Sequence, residues 1–105
     1  MIFYFTEGKR VDEVLYVCKS LKLDILTTKK AVHEYFQIKG ISSKLISSQP
    51  RRFKNEIRKI SPSAVILEND STSARGQWIA RHYKSYLISE LDINTRARYI
   101  ARSKA

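Results

Sequence analysis

Apolar positions fall in short blocks whose spacing alternates between continuous runs and a helical period. Ile2–Thr6 (IFYFT) is an unbroken apolar and aromatic run, the pattern of a buried strand, and Glu7-Gly8-Lys9-Arg10 reads as a turn. Val11, Val14, Leu15, Cys18 and Leu21 then share one helical face, with Asp12, Glu13 and Lys19 on the others. Leu23–Leu26 predicts a second strand and Lys29–Lys39 a second helix, with Val32, Tyr35 and Phe36 on its apolar face and Gly40 where a left-handed C-cap is wanted. Ser43–Ile46 predicts a short third strand. Ser47-Ser48-Gln49-Pro50 follows as a turn whose proline is placed to open a helix over Arg51–Ile60, with Phe53, Ile57 and Ile60 facing inward. Ser61-Pro62-Ser63 ends that helix, and Ala64–Leu67 (AVIL), with no polar alternation, predicts a central strand buried on both faces. After a polar turn at Asn69–Ser73, a helix is expected over about Ala74–Tyr83, packing Trp78, Ile79 and Tyr83. Tyr86–Ile88 predicts a fifth strand, and Asn94–Ala101 a closing helix with exposed Arg96, Arg98 and Arg102.

Strand and helix thus alternate from end to end, with short connections. That order predicts a three-layer, doubly wound α/β sheet of about five mainly parallel strands, with helices on both faces and right-handed crossovers, in one domain spanning residues 1–105. Ligands of such sheets bind beyond the carboxyl ends of the strands. The turns at Glu7–Arg10, Thr27–Lys30, Ser47–Pro50 and Asn69–Ser73 are all expected at that edge. A hydroxyl-rich turn entering a helix N-terminus offers free N–H groups and the positive dipole end to an anion.

Composition narrows the classes of function. A hydrophobic content of 43% excludes a disordered chain, and 3 Gly with 2 Pro argue for mostly regular structure. Cys18, the single cysteine, lies on an apolar helix face and reads as a buried structural thiol. No apolar run has the length of a membrane span and nothing reads as a signal peptide, so the expected location is cytoplasmic, away from membranes. Twenty Lys and Arg against ten Asp and Glu give a net charge of +10, with +3 in residues 1–48 and +7 in residues 49–105. Such a field favours anionic partners: nucleic acid, nucleotides, phosphorylated metabolites or an acidic protein surface.

Four stretches resemble the methylglyoxal-synthase-like domain, the fold of the regulatory C-terminal domain of the carbamoyl phosphate synthase large subunit. Lys9 follows the first strand, where the family has a lysine before its first helix. Ile25-Leu26-Thr27-Thr28-Lys29-Lys30-Ala31 stands where the family has its A-T-x-G-T-A phosphate turn, and the helix after it ends at Gly40-Ile41 as the family's does. Ala64-Val65-Ile66-Leu67-Glu68-Asn69 is similar to the D-L-V-I-N-T strand and turn. Trp78-Ile79-Ala80-Arg81 and Tyr86-Leu87-Ile88-Ser89 resemble the later helix and the I-P-Y-x-T-T strand. Lys29 and Lys30 replace the glycine and second threonine of the phosphate turn, the family's G-R-P is missing unless Gln49-Pro50-Arg51 substitutes, and no aspartate between Ser47 and Asn55 matches the catalytic G-G-D turn. A flavodoxin-like sheet fits the same alternation. The resemblance implies a non-catalytic regulatory domain beside a carbamoyl-phosphate-synthase-like partner, and family members often form homo-oligomers.

The candidate ligand residues, for a phosphorylated small molecule or nucleotide, are Lys9, Thr27, Thr28, Lys30, Ser47, Ser48, Asn69, Ser71, Thr72 and Ser73. The competing reading makes these hydroxyls helix caps and the lysines solvated. A second function class, nucleic-acid binding, would use Arg51, Arg52, Lys54, Arg58 and Lys59 on one helix and Arg96, Arg98 and Arg102 near the C-terminus, against a reading as solvated basic faces. No aromatics interleave with either basic run, so no stacking platform is evident. A methylglyoxal-synthase-type lyase is the weakest reading, and no catalytic residue is assigned. Glu68 and Asp70 are too few for a metal site without His or Cys beside them, and no cofactor is expected. His33 and His82 have no serine or cysteine at interpretable spacing, and His82 is expected to be partly buried.

Overall fold

A computed structural model describes residues 1–8, 11–68, 73–88 and 100–101. Five strands alternate with four helices, and a short sixth strand follows: β1 Ile2–Phe5, α1 Val11–Leu21, β2 Asp24–Thr27, α2 Lys30–Ile38, β3 Ser43–Leu45, α3 Pro50–Ile60, β4 Ala64–Glu68, α4 Ala74–His82, β5 Ser85–Ile88 and β6 Ile100–Ala101. The sheet order is β3-β2-β1-β4-β5-β6, with β1 to β5 all parallel and β6 antiparallel to β5. The doubly wound sheet expected from the sequence is therefore the observed one.

The pleat divides the core into two layers. Tyr4, Ile25 and Ile66 pack with Val14, Val17 and Cys18 of α1 and with Val32 and Phe36 of α2. Phe3, Phe5, Leu26, Val65 and Leu67 pack on the opposite face with Phe53 and Ile57 of α3 and Ile79 of α4. Successive residues of one strand thus serve different layers, so the central strands show no polar alternation. β4 carries four consecutive buried residues, Ala64 to Leu67, and sits between β1 and β5. Right-handed crossovers account for the layering: α1 and α2 lead the chain one way from β1, and α3 and α4 carry it back the other way.

Local chemistry sets the helix ends. α2 stops in a Schellman turn, in which Gly40, at φ 81°, donates to Gln37 O and Ile41 N–H donates to Phe36 O. α3 opens with Pro50 in its first turn and is capped by Gln49, whose side chain accepts from Arg52 N at 2.8 Å. The neighbouring serines do not serve as that cap.

The expected closing helix over Asn94–Ala101 is corrected at its end. Ile100 and Ala101 form β6, pairing with Leu87 and Tyr86, and residues 94–99 lie outside the described residues. The edge of β5 offers unpaired main-chain groups, and satisfying them outweighs a weak local helical preference. His82 is exposed rather than partly buried, stacked on Trp78 with ring centroids 4.5 Å apart.

Phe36 is 0% exposed and Ile38, two residues on in the same helix, is 82% exposed. Phe36→Ala is expected to cost about 3–5 kcal/mol and Ile38→Ala less than about 0.5 kcal/mol. Urea unfolding of the two variants measures the contrast, and equal losses would mean that α2 does not dock by this face.

Candidate functional site

The strand order reverses direction between β1 and β4, the place beyond whose carboxyl ends sheets of this kind bind ligands. The first groups beyond the strands tie this edge together. Thr6 Oγ1 donates to Glu68 Oε1 at 2.6 Å, joining the ends of β1 and β4. Thr6 Oγ1 also accepts from Gly8 N at 3.3 Å, and Gly8 turns the chain with φ 115°. Glu7 Oε2 accepts from Thr28 Oγ1 at 2.8 Å and from Arg75 Nε at 2.6 Å, so one carboxylate links the β1 loop, the β2 loop and α4. The Ser73 hydroxyl also hydrogen-bonds Glu7 while accepting from Gly76 N as the cap of α4.

Burial is the largest single influence on the Glu7 carboxyl and pushes its pKa up. The hydrogen bonds from Thr28 and Arg75, the charge of Arg75 and the bond from Ser73 together outweigh it, and hold the group below the ordinary carboxylate range. Cys18 sits in the α1 layer, buried, its thiol pushed up to about 12 by burial and by the charge of Asp24. It is a packing residue, as its place on the apolar stripe indicated.

The residues singled out from the sequence separate into groups. Thr27 is fully buried, and its hydroxyl accepts from Lys29 N at 3.1 Å. Thr28 donates to Glu7, and Lys30 is exposed on the first turn of α2, whose cap position, Lys29, makes no side-chain cap bond. Ser47 Oγ accepts from Gln49 N at 3.1 Å, while Ser47 N–H donates to Glu56 Oε1 at 2.6 Å. Ser48 lines a groove described below, and Ser73 caps α4. Lys9, Asn69, Asp70, Ser71, Thr72, Arg96, Arg98 and Arg102 lie outside the described residues. Four of the expected hydroxyls, on Thr27, Thr28, Ser47 and Ser73, are thus engaged within the fold.

The groove of about 290 Å³ runs between α3 and α4 and begins at their N-terminal ends, beside the carboxyl edge of the sheet. Ser48, Phe53, Lys54, Arg75, Trp78 and Arg81 form most of its lining, which contains no carboxylate among the described residues. Trp78 and Phe53 meet edge to face at 5.9 Å. Lys54 Nζ and Arg58 Cζ stand 5.9 and 5.5 Å from the centroid of the half-buried Trp78 ring, within cation–π range. Arg75 reaches the groove while its Nε is held by Glu7, which orients the guanidinium.

Sequence reasoning missed Arg75, Arg81 and the role of Trp78. Residues 75, 78 and 81 recur at intervals of three along α4, a signal that could have placed them on one side of the helix. No exposed aromatic interleaves with the basic run within α3, but the half-buried Trp78 meets that run from α4, where only packing brings it.

The histidines also differ from expectation in one respect. His33 Nδ1 lies 2.8 Å from Ser43 Oγ, a serine partner supplied by β3, and His82 Nδ1 lies 2.9 Å from Trp78 O. The His33–Ser43 pair joins the first turn of α2 to the beginning of β3. Among the described residues no acidic side chain bonds the ring to orient it as a base. No group of three or more potential metal ligands occurs among the described residues, and no described helix is long and apolar enough to cross a membrane.

Glu7 generates a pH prediction. Its folded-state pKa is depressed, so its stabilising contribution is present above the ordinary carboxylate pKa and is lost as pH falls through the lower, folded value. Glu7→Gln is expected to lower Tm near neutral pH and to shrink the difference from the parent chain below about pH 4. A difference that stays constant down to pH 3 would show that the carboxylate charge does not hold this junction.

No family model, curated protein or solved structure matches this chain, and the likeness to the methylglyoxal-synthase-like domain rests on the residues quoted for it.

Proposed function

We propose that the chain is a binding domain for a phosphorylated small molecule, a nucleotide above all, taken up in the groove between α3 and α4 at the carboxyl edge of the sheet. The observation that carries this reading is the convergence of Lys54, Arg75 and Arg81 around an apolar floor of Phe53 and Trp78, with no carboxylate among the described lining residues. Cations with directed N–H donors suit a phosphate, and the aromatic floor suits a base or another flat apolar group. The N-terminal turns of two helices lie at the same end and add their positive dipole ends. A volume of about 290 Å³ is at the lower limit of small-molecule sites and suits a compact ligand, not an extended cofactor. The hydroxyls of Thr27 and Thr28 are occupied within the fold, and α2 packs on the other face of the sheet, so Lys30 has no part in this site. No observation supports the carbamoyl-phosphate-synthase-like partner.

A second reading, nucleic-acid binding, has one specific support. Lys54 and Arg58 lie over Trp78, and Arg51, Arg52 and Lys59 continue the basic face of α3 in solvent. A strand of nucleic acid laid along α3 would meet cations and an aromatic group together.

Trp78 is the chain's one tryptophan, so its fluorescence reports the groove directly. A nucleoside monophosphate is expected to change that fluorescence and raise Tm. Lys54→Ala and Arg81→Ala are each expected to weaken binding by about 1.5–3 kcal/mol, and Lys30→Ala to leave it unchanged. Nucleic-acid binding would instead fall steeply with salt, by a slope near one per phosphate contact, and would weaken in the Arg51→Ala/Arg52→Ala double variant. Salt-steep binding of this kind, with no effect of any nucleotide or sugar phosphate on fluorescence or Tm, would replace the first reading by the second.

A further inference from the structure

Among the described residues β3 closes one edge of the sheet and pairs with β2 alone. Ile25 N–H donates to Ser42 O at 2.8 Å and Ile46 N–H donates to Thr27 O at 2.9 Å. With the two-residue period of a parallel ladder, the main-chain groups of Ser43 and Leu45 therefore face away from β2, toward solvent. Leu45 is 43% exposed and Lys44 is exposed. Beside this edge a shallow groove of about 320 Å³ lies between β3 and α3, lined by Lys44, Leu45, Ile46, Glu56, Lys59 and Ile60. Apolar Leu45, Ile46 and Ile60 are flanked by two lysines. The one carboxylate among the described lining residues, on Glu56, already accepts from Ser47 N–H.

An open main-chain edge beside a pocket for side chains is the arrangement that accepts an added strand. Charge decides what can occupy it. A lysine on an edge strand opposes pairing with another basic chain, and at +10 a second copy of this protein meets repulsion along the whole approach. An acidic segment meets attraction instead. We propose that the β3 edge and its groove bind an extended acidic peptide segment of a partner protein. The segment adds as a strand beside β3, with its apolar side chains on the Leu45 side of the sheet and its carboxylates on the opposite side, against Lys44 and Lys59. This surface is separate from the groove between α3 and α4, and neither proposal depends on the other.

The probe is a fluorescein-labelled peptide of about six residues alternating valine and glutamate, roughly the length of a common strand. Its control is the same peptide with lysine for glutamate. Anisotropy is expected to show binding of the acidic peptide alone, and hydrogen exchange to show slowed exchange at the Leu45 amide. Leu45→Pro removes an N–H that β2 does not use, so the sheet is expected to keep its circular dichroism while peptide affinity falls at least about tenfold. Lys44→Glu/Lys59→Glu leaves the main chain intact and is expected to reverse the preference between the peptides, which keeps the test informative should the proline variant misfold. Equal binding of both peptides, an unprotected Leu45 amide, or unchanged affinity in the charge-reversed variant would each overturn the proposal. Concentration-dependent dimerisation through this edge would overturn it in favour of a second copy as the occupant.

Discussion

The pairing of β1 with β4 is the contact on which the rest of the structure depends. These strands are far apart in sequence and adjacent at the middle of the sheet, with Ile2 to Phe5 in register against Ala64 to Leu67. Once they pair, right-handed connections force α1 and α2 onto one face and α3 and α4 onto the other. The same pairing sets the ends of β1 and β4 side by side, so that Thr6 can reach Glu68 and Glu7 can reach Arg75. It also makes α3 and α4 neighbours, and the groove between them is a consequence of that adjacency.

Glu7 shows how a small polar network is made worth its desolvation. Its side chain and that of Arg75 remain 18% and 31% exposed, so their Coulomb attraction is partly screened and neither charge bears the full penalty of deep burial. Thr28 adds a further hydrogen bond to the same carboxylate oxygen that Arg75 holds. One acceptor thereby fixes three segments that the backbone alone leaves independent. In doing so it holds Arg75 beside a groove in which Lys54 and Arg81 are the other cations. The order of the groove lining and the stability of the fold are linked through that one side chain.

Much of the architecture was legible because a buried parallel strand and an amphipathic helix leave distinct patterns. Ala64–Leu67 has no polar position, and the only place for such a segment is between two helical layers. Gly40 could be recognised as a C-cap since few other residues take φ 81° without strain. The closing segment was different. Ile100 and Ala101 carry no strong strand signal, and their state follows from a free β5 edge that local sequence does not encode. The hydroxyls after β2 had two readings from sequence, as ligand donors or as internal hydrogen bonds. The partners in space, Lys29 N for Thr27 and Glu7 for Thr28, favour the second.

The sequence by itself determined the class of fold, the two-sided core and the concentration of positive charge in the second half. All three depend on properties summed over neighbouring residues: hydrophobic period, apolar content and charge count. Only the tertiary structure decided which cations share a site. Lys54 and Trp78 are separated by a strand and two loops, and they meet because α3 and α4 pack side by side on one face. Lys30, more promising by its local context, was carried to the other layer by the handedness of the β2–α2–β3 crossover. Local pattern encodes which face of each element is apolar. Which faces meet is settled by strand order and chain handedness, acting across distances that no short window of sequence contains.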